Sequence, residues 1–201
     1  MTHLDKARTA IDAALVRRYL GGMQIVPVAP AHVAILSSLA RDCFSENFGH
    51  LYPPHDLMAF LADSYAEAKL AEETADPAQF WRIVLDDKGE TAGYLHCGPA
   101  TLPHTDANPA CHGELKRIYV RMSHQGQGLG KQLLTTALTW LAETYGDAPQ
   151  WLGVWSGNLR AQAFYATYGF ERAGDYKFPV GNTLDDEFIL RRQPRILGAV
   201  R

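Results

Sequence analysis

The sequence is poor in cysteine and has no long apolar segment. Its 201 residues include three cysteines, Cys43, Cys97 and Cys111, an odd number that cannot form a fully paired disulfide framework. No apolar run approaches the ~20 residues that cross a bilayer. Asp5 and Arg8 interrupt the N-terminal segment, which therefore lacks the apolar core of a secretion signal. We expect reduced thiols in a cytoplasmic protein.

The chain also lacks the basic surplus that is usual in proteins that bind nucleic acids. It has 19 basic and 22 acidic side chains and a net charge of −3, and four of the arginines lie in residues 191–201. Hydrophobic residues make up 47% and charged residues 20%, which is typical of a soluble globular domain. We expect neither a nucleic acid nor a membrane as a partner.

Hydrophobic spacing divides the chain into three parts. An amphipathic helix over 3–20, with Leu4, Ile11, Leu15 and Tyr19 on one face, forms an N-terminal helical extension (1–22). It either packs on the body or meets a partner, such as a second copy in a homodimer. The body spans 23–190, and an Arg-rich tail (191–201) follows.

Alternation, helical spacing and turn residues predict the elements of the body. Strands are expected over 23–29, 79–86, 91–98, 114–120, 151–155, 170–176 and 184–190, and helices over 30–45, 55–72, 130–145 and 158–168.

A glycine cluster follows the 114–120 strand and precedes a helix: Gln125-Gly126-Gln127-Gly128-Leu129-Gly130-Lys131. Backbone N–H groups at such a helix start form an anion site that suits phosphate. A Walker A loop would need Gly at position 125 and Ser or Thr at 132, where this chain has Gln125 and Gln132. A dinucleotide fingerprint starting at Gly126 would need Gly at position 131, which is Lys131.

The pattern Q-x-x-G-x-G, read at Gln125, Gly128 and Gly130, resembles the acetyl-CoA loop of the GNAT N-acetyltransferase superfamily. The flanking segments ELKRIYV (114–120), WLGVWSGN (151–158) and AFYATYGF (163–170) resemble that family's fourth strand, fifth strand and late helix. Their wording looks most like the polyamine (spermidine/spermine) branch. Two departures are Met122, where the family often has Pro, and Gln127, where it often has Arg or Lys.

The resemblance implies an α/β (α+β) fold with a mixed, mostly antiparallel central sheet of about seven strands. Its fourth and fifth strands splay apart, and helices cover both faces. It also implies acetyl-CoA as co-substrate, with no metal, and direct attack by an amine in a ternary complex. The cofactor-binding residues implied are Ile118, Tyr119, Val120, Gln125, Gly126, Gln127, Gly128, Leu129, Gly130, Lys131, Asn158 and Tyr165.

Within that set, the main chain at Ile118 and Val120 would pair with pantetheine, and an N–H near Val120 would face the thioester oxygen. Backbone N–H groups from Gly126 to Lys131 would hold the pyrophosphate. Asn158 would contact pantetheine, although a helix N-cap is the alternative.

Two residues are candidates for proton transfer. Tyr165 matches the family's tyrosine that faces the sulfur of coenzyme A and would act as the acid; a packed aromatic is the alternative. Glu114 matches a glutamate that works through water as the base, since an alkyl ammonium with a pKa of ~10.4 must lose a proton before it attacks. An exposed charge at the strand end is the alternative for Glu114.

The acceptor pocket is expected from residues 44–65 and from a turn near 177–183. Glu46, Asp56 and Asp63 would attract a cationic amine, and Asn47, His50 and Tyr52 would line the pocket; solvated helix-face charges are the alternative. A second cluster, His96, Cys97, His104, Cys111 and His112, matches no familiar zinc spacing, so we expect no metal there.

The leading hypothesis is an acetyl-CoA-dependent N-acetyltransferase that acts on a small primary amine, such as a polyamine. A protein N-terminal amine or an amine-bearing antibiotic remains open as the acceptor. From a different class, the chain would be a non-catalytic sensor that binds acyl-CoA.

Overall fold

The protein folds as one seven-stranded sheet between two layers of helices. The computed structural model describes residues 22–194. The strands are β1 (Gln24–Pro27), β2 (Phe80–Leu85), β3 (Thr91–Pro99), β4 (Gly113–Val120), β5 (Gln150–Trp155), β6 (Glu171–Val180) and β7 (Thr183–Arg192). The helices are α1 (Val33–Phe48), α2 (Pro54–Ser64), α3 (Glu67–Ala75), α4 (Leu129–Tyr145) and α5 (Leu159–Ala166).

The strand order is β1-β2-β3-β4-β5-β7-β6. Neighbouring strands pair antiparallel, except that β4 and β5 run parallel. The mixed, mostly antiparallel sheet with helices on both faces confirms the expected fold class. Among residues 22–194, no helix combines the length and the apolar character that crossing a membrane requires.

The single helix expected over 55–72 is wrong, because two helices meet at Tyr65. The backbone of Tyr65 leaves the helical region, with φ −123°. The break buries the Tyr65 ring, and the Tyr65 carbonyl accepts a hydrogen bond from the Ser37 hydroxyl at 2.6 Å. Burial of a large aromatic side chain therefore outweighs the helical periodicity of the segment.

The predicted ends of the chain fall partly outside the described residues. The amphipathic helix over 3–20 and any dimer contact through it lie there, as does the tail beyond Pro194. Arg191 and Arg192, which the sequence places in that tail, belong to β7. Strands β6 and β7 are both longer than expected, and the turn between them is only Gly181-Asn182.

Two apolar clusters hold the helices to the sheet. On one face, Leu133, Leu134, Ala137 and Leu141 of α4 are completely buried against the sheet. On the other face, α1 and α3 pack against the aromatic side chains of β2 and β3, with Leu36, Leu39, Leu70, Trp81 and Tyr94 at the centre. Helices α4 and α5 therefore cover one face, and α1, α2 and α3 cover the other.

The central strands β4 and β5 pair over only three residues. Gly113, Glu114 and Leu115 lie opposite Gln150, Trp151 and Leu152, and pairing then stops, although β4 continues to Val120 and β5 to Trp155. In addition, β4 has one extra residue at Lys116 in its pairing with β3, because Leu115 lies opposite Cys97 and Arg117 lies opposite His96. Such a bulge bends a strand and increases its twist. The two strands therefore separate and leave a gap in the middle of the sheet.

Asp56 fastens the β6–β7 hairpin to the start of α2. Its carboxylate is buried and accepts hydrogen bonds from the Asn182 backbone N–H at 2.9 Å, the Asn182 side chain at 3.1 Å and the Thr183 hydroxyl at 2.8 Å. The turn needs glycine, because Gly181 has φ +60° and a Cβ there would lie 2.5 Å from the Asp56 Cα. This contact fixes the tip of the hairpin relative to the helical layer.

We predict that Asp56→Ala lowers the midpoint of thermal unfolding by several degrees at pH 7, since it leaves polar groups of the turn without their partner. The hydrogen bond from the Asn182 backbone is the main cause of a lowered pKa of Asp56. A lowered folded-state pKa gives stability that is present above the unfolded pKa of ~3.9 and is lost as the pH falls through the folded value. The difference between wild type and variant should therefore shrink in acid.

The matched control is Asp63→Ala, which removes an exposed carboxylate from the same helix. Asp63 forms an exposed ion pair with Lys69 at 3.4 Å, and surface ion pairs contribute little to stability. Equal unfolding midpoints for the two variants would contradict the assigned function of Asp56.

Candidate active site

A cavity of about 600 Å³ passes through the gap between β4 and β5. On the α4–α5 side it reaches Ile118, Val120, Asn158, Ala161 and Tyr165. On the side of α1–α3 its lining is aromatic and charged, and includes Phe44, Phe48, Tyr52, Phe60, Tyr65, Glu73, His96, Arg117, Tyr119, Tyr176, Phe178, Asp185 and Glu187. The cavity therefore connects the two faces of the sheet.

The glycine cluster forms the turn into α4, as its sequence predicts. Gly126 and Gly128 have positive φ angles of 78° and 82°, and Gly128 is the N-cap of the helix. An added Cβ at Gly126, Gly128 or Gly130 would meet no atom within 4 Å. The backbone of the turn is therefore open to a ligand, and the helix start supplies N–H groups with the favourable end of the helix dipole.

The side chains of this turn have different environments. Leu129 is buried in the core, so that only its backbone is available to a ligand, and Lys131 is exposed. Gln127 is exposed, and its amide donates weakly to the Ser123 carbonyl at 3.4 Å. Gln125 points inward and donates to the Val120 carbonyl at 3.2 Å, while Arg160 donates to the Gln125 side-chain oxygen at 3.3 Å. Gln125 therefore joins the turn to the end of β4.

Met122 stands where the resemblance leads us to expect proline, and its backbone gives a structural reason for the difference. Its backbone N–H donates to the Glu46 carboxylate at 3.0 Å, a bond that proline cannot make. Neighbouring Arg121 forms ion pairs with Asp42 at 2.5 Å and with Glu46 at 3.6 Å. These contacts attach the segment before the glycine turn to α1.

Tyr165 and Asn158 both come from the α5 region and line the cavity. The Tyr165 ring is 7% exposed and packs beside Phe164 and Phe170. Burial raises the pKa of its phenol well above the ordinary value for tyrosine. Asn158 is the N-cap of α5 and accepts the Ala161 N–H at 3.0 Å, and its position in the lining is compatible with a second function.

Glu114 lies in the short stretch of β4 that pairs with β5. Its carboxylate is buried and lines the cavity. One oxygen, Oε2, accepts the Thr101 backbone N–H at 2.7 Å and the Lys116 ammonium at 3.1 Å. The Glu114 carboxylate is therefore buried and fixed by hydrogen bonds, rather than an exposed charge at the end of the strand.

Tyr119 differs from the other candidates on β4. Its ring stacks on Tyr94 and meets Phe48 edge-on, on the α1–α3 side of the sheet. Ile118 and Val120 instead pack with the α4–α5 cluster. The side chain of Tyr119 thus faces the α1–α3 side, and only its main chain lies along the gap.

The three carboxylates expected to attract the acceptor have other partners. Asp56 holds the hairpin, Glu46 binds Arg121 and the Met122 backbone, and Asp63 is exposed beside Lys69. None of the three is in the lining of the cavity. Of the remaining candidates in this segment, Asn47 and Tyr52 line the cavity, whereas His50 is exposed outside it.

Sequence reasoning missed the acids that do line the cavity on this side, Glu73, Asp185 and Glu187. The last two lie on the β6–β7 hairpin, where Tyr176 is opposite Glu187 and Phe178 is opposite Asp185. The sequence does contain a signal for these pairs. A two-residue turn at Gly181-Asn182 sets the register of the hairpin, and that register places both acids opposite aromatic residues. The longer turn expected over 177–183 did not define this register.

The His and Cys cluster is dispersed in the fold. His96 and Cys97 are buried in β3, while His104 and His112 flank the Trp151 ring and Cys111 is exposed. Within residues 22–194, no group of three or more His, Cys, Asp or Glu side chains is placed to hold a metal ion.

Comparison with known proteins agrees with this geometry. An uncharacterized N-acetyltransferase in the pepI 3′ region of Lactobacillus delbrueckii subsp. lactis is 34% identical over 172 residues, which cover 85% of this chain and 97% of that protein. The spermine/spermidine N(1)-acetyltransferase of Bacillus subtilis strain 168 is 30% identical over 118 residues, covering 57% of this chain and 76% of that protein.

The fold has a solved counterpart in the PaiA N-acetyltransferase from Thermoplasma acidophilum in complex with coenzyme A. The TM-score is 0.68 at 17% identity, over 86% of this chain and 99% of that chain. Residues 34–170, more than half of the chain, match the acetyltransferase (GNAT) family, whose enzymes use acetyl-CoA. The chain therefore belongs to the GNAT family and is an N-acetyltransferase.

Proposed function

We propose that the protein transfers the acetyl group of acetyl-CoA directly to a cationic aliphatic amine, such as a polyamine, in a ternary complex. The observation that carries this proposal is the cavity through the splayed sheet. Its lining reaches both faces of the sheet, so each substrate can approach from its own face and the two can meet between β4 and β5.

The α4–α5 side suits acetyl-CoA. Beyond Leu115, no strand of the described residues pairs with the edge of β4 that faces β5, so main-chain N–H groups at Ile118 and Val120 can pair with the pantetheine arm, while the Val120 carbonyl already accepts from Gln125. The open backbone from Gly126 to Lys131 suits the pyrophosphate, and Lys131 and Arg160 add positive charge nearby. Asn158, the N-cap of α5, lines the cavity where it could contact the pantetheine arm.

Tyr165 is the proposed partner of the leaving thiolate. Its raised pKa keeps the phenol protonated throughout the neutral range. Because a thiol has a pKa of ~8.5, full proton transfer from so weak an acid to the thiolate is uphill. Tyr165 therefore stabilises the leaving group mainly by donating a hydrogen bond to the sulfur.

Glu114 is the proposed base that accepts the amine proton through water. Its Oε2 already accepts hydrogen bonds from Thr101 and Lys116, which hold the carboxylate in one orientation. No hydrogen bond to another described residue is recorded for Oε1, which is therefore the oxygen available to a water in the cavity. Geometry of this kind is the first requirement for a general base.

The cysteines support direct attack rather than transfer through an acetylated thiol. Burial raises the pKa of Cys43 to about 12 and that of Cys97 further still, so neither supplies a thiolate nucleophile. Cys111 is exposed in the 100–112 loop, away from the lining. Three free thiols also support a reducing compartment such as the cytoplasm.

A cationic acceptor is supported by the charge of the cavity, whose lining contains two more carboxylates than cations. The similarity to the spermine/spermidine N(1)-acetyltransferase of Bacillus subtilis adds support for a polyamine. The first experiment is coenzyme A release from acetyl-CoA with spermidine, putrescine, an N-terminal peptide and an aminoglycoside. A no-acceptor control is needed, because exposed Cys111 reacts with thiol reagents.

Turnover with the polyamines alone supports the full proposal. Turnover with the peptide or the aminoglycoside alone retains acetyl transfer and replaces the acceptor. If no amine is acetylated although acetyl-CoA raises the unfolding midpoint, the proposed function fails and an acyl-CoA sensor takes its place.

We predict that Tyr165→Phe lowers kcat about tenfold to a hundredfold, which is the value of one hydrogen bond to a charged group. The KM for acetyl-CoA should change little, because the ring and its packing remain. Since the pKa of Tyr165 is raised, wild-type activity should not fall through the ordinary range of tyrosine ionisation near ~10. Steady-state rates across that range provide the test.

Tyr168→Phe is the matched control, since it removes a phenol from the same segment outside the cavity lining. An unchanged kcat in Tyr165→Phe, or an equal loss in both variants, would remove the proposed function of Tyr165.

A further inference from the structure

One wall of the cavity is built from alternate residues of the β6–β7 hairpin. Tyr176 and Phe178 on β6 pair with Glu187 and Asp185 on β7, and all four line the cavity. Since alternate residues of a strand share a face, Asp185 and Glu187 point to the same side, about 7 Å apart along the strand. We call these two residues the carboxylate pair.

The carboxylate pair is held by phenols and not by cations. The Tyr52 hydroxyl donates to Asp185, and the Tyr176 hydroxyl donates to Glu187 at 2.5 Å. No Lys, Arg or His within residues 22–194 forms an ion pair with either acid.

The other acids of the cavity have different partners. Glu73 is paired with Arg117 at 3.3 Å, and Glu114 with Lys116 at 3.1 Å. The negative charge that remains uncompensated in the cavity therefore lies on the carboxylate pair.

Glycine in the neighbouring strand leaves room for this arrangement. A Cβ at Gly153 of β5 would lie 2.6 Å from the Tyr176 hydroxyl oxygen and 2.9 Å from a carboxylate oxygen of Glu187. Burial, with the charges of Asp185 and Glu114, raises the pKa of Glu187. A partly buried carboxylate without a cation is costly to desolvate, and a cationic ligand beside it would relieve that cost.

His96 does not compensate this negative charge, because its ring is neutral. It is 3% exposed and lines the same cavity, and its Nδ1 has no hydrogen-bond partner among the described residues. Its Nε2 lies 2.8 Å from the Gln79 side-chain oxygen, an acceptor, so Nε2 carries the proton. Burial lowers the pKa of His96, so the ring is neutral and Nδ1 is an unused acceptor.

We infer that the acceptor is an aliphatic di- or polyamine, whose second ammonium group binds at the carboxylate pair while its first nitrogen reaches the gap between β4 and β5. This inference rests on the proposed amine acetylation and identifies the part of the cavity that selects the substrate. Aromatic walls such as Phe60 and Phe178 suit both the methylene chain and the ammonium groups.

The test compares putrescine with n-butylamine, which has the same carbon chain but only one nitrogen. Wild type should favour putrescine in kcat/KM by about tenfold to a hundredfold, because putrescine forms one hydrogen-bonded charge pair that n-butylamine cannot form. Asp185→Asn and Glu187→Gln should each reduce that ratio by about tenfold through the KM for putrescine. The KM for acetyl-CoA should change little.

The matched control is Asp186→Asn. Asp186 lies between the two acids in sequence but on the other face of β7, exposed and paired with Lys177 at 2.5 Å. Its loss removes the same charge from the protein and should leave the ratio unchanged. Glu187→Gln keeps an oxygen for the Tyr176 hydroxyl, and thermal unfolding of each variant reports on its folding.

If n-butylamine is acetylated as well as putrescine, or if all three variants change the ratio equally, the inference is overturned although acetyl transfer stands. If wild type acetylates no amine, the proposed function fails, and calorimetric titration of putrescine into the coenzyme A-loaded protein decides the binding site. Binding that Asp185→Asn abolishes supports the site, and no binding to wild type overturns it.

Discussion

The short parallel contact between β4 and β5 is the constraint on which the rest of the structure depends. Pairing ends at Leu115 and Leu152, so the sheet opens at its centre and not at an edge. The bulge at Lys116 occurs where the two strands begin to separate. Because both faces of the sheet are covered by helices, the gap becomes a passage between two environments. One is bounded by the glycine turn and α5, and the other by aromatic and acidic side chains.

A physical conflict in amine acetylation explains why these environments differ. Carboxylates attract an ammonium group, but they also stabilise its protonated form, which cannot attack a thioester. In this cavity the uncompensated acids lie on the hairpin, whereas Glu114 near the paired stretch has Lys116 beside it. A diamine would place its inert ammonium at the carboxylate pair and its reacting nitrogen where the negative charge is partly compensated.

The cofactor side was more predictable from the sequence than the acceptor side, and the reason is the range of the interactions. The turn from Gln125 to Lys131 depends on positive φ at Gly126 and Gly128 and on the start of α4, all of which are local in the chain. Asn158 lies at the recognisable start of α5, and Tyr165 lies near its end. Such residues keep the same relation to the backbone in any chain that carries the pattern.

The acceptor side depends on contacts between distant segments. Asp56 appeared to be a pocket acid because its segment was correctly located, but its side chain turns to a hairpin 126 residues away in sequence. Asp185 and Glu187 fall in the strand expected over 184–190, and only the register with Tyr176 and Phe178 shows that they line the cavity together. The break at Tyr65 likewise follows from packing on Ser37 and the core. Helical periodicity carries no information about these contacts, because they join segments that are distant in the chain.

The most direct test of the central claim, that both substrates occupy the passage together, is the initial-rate pattern with acetyl-CoA and putrescine varied against each other. Double-reciprocal plots should give intersecting lines, because the amine attacks while acetyl-CoA is still bound and no acetylated enzyme forms. Parallel lines, together with an acetylated protein detected by mass spectrometry in the absence of amine, would contradict this account.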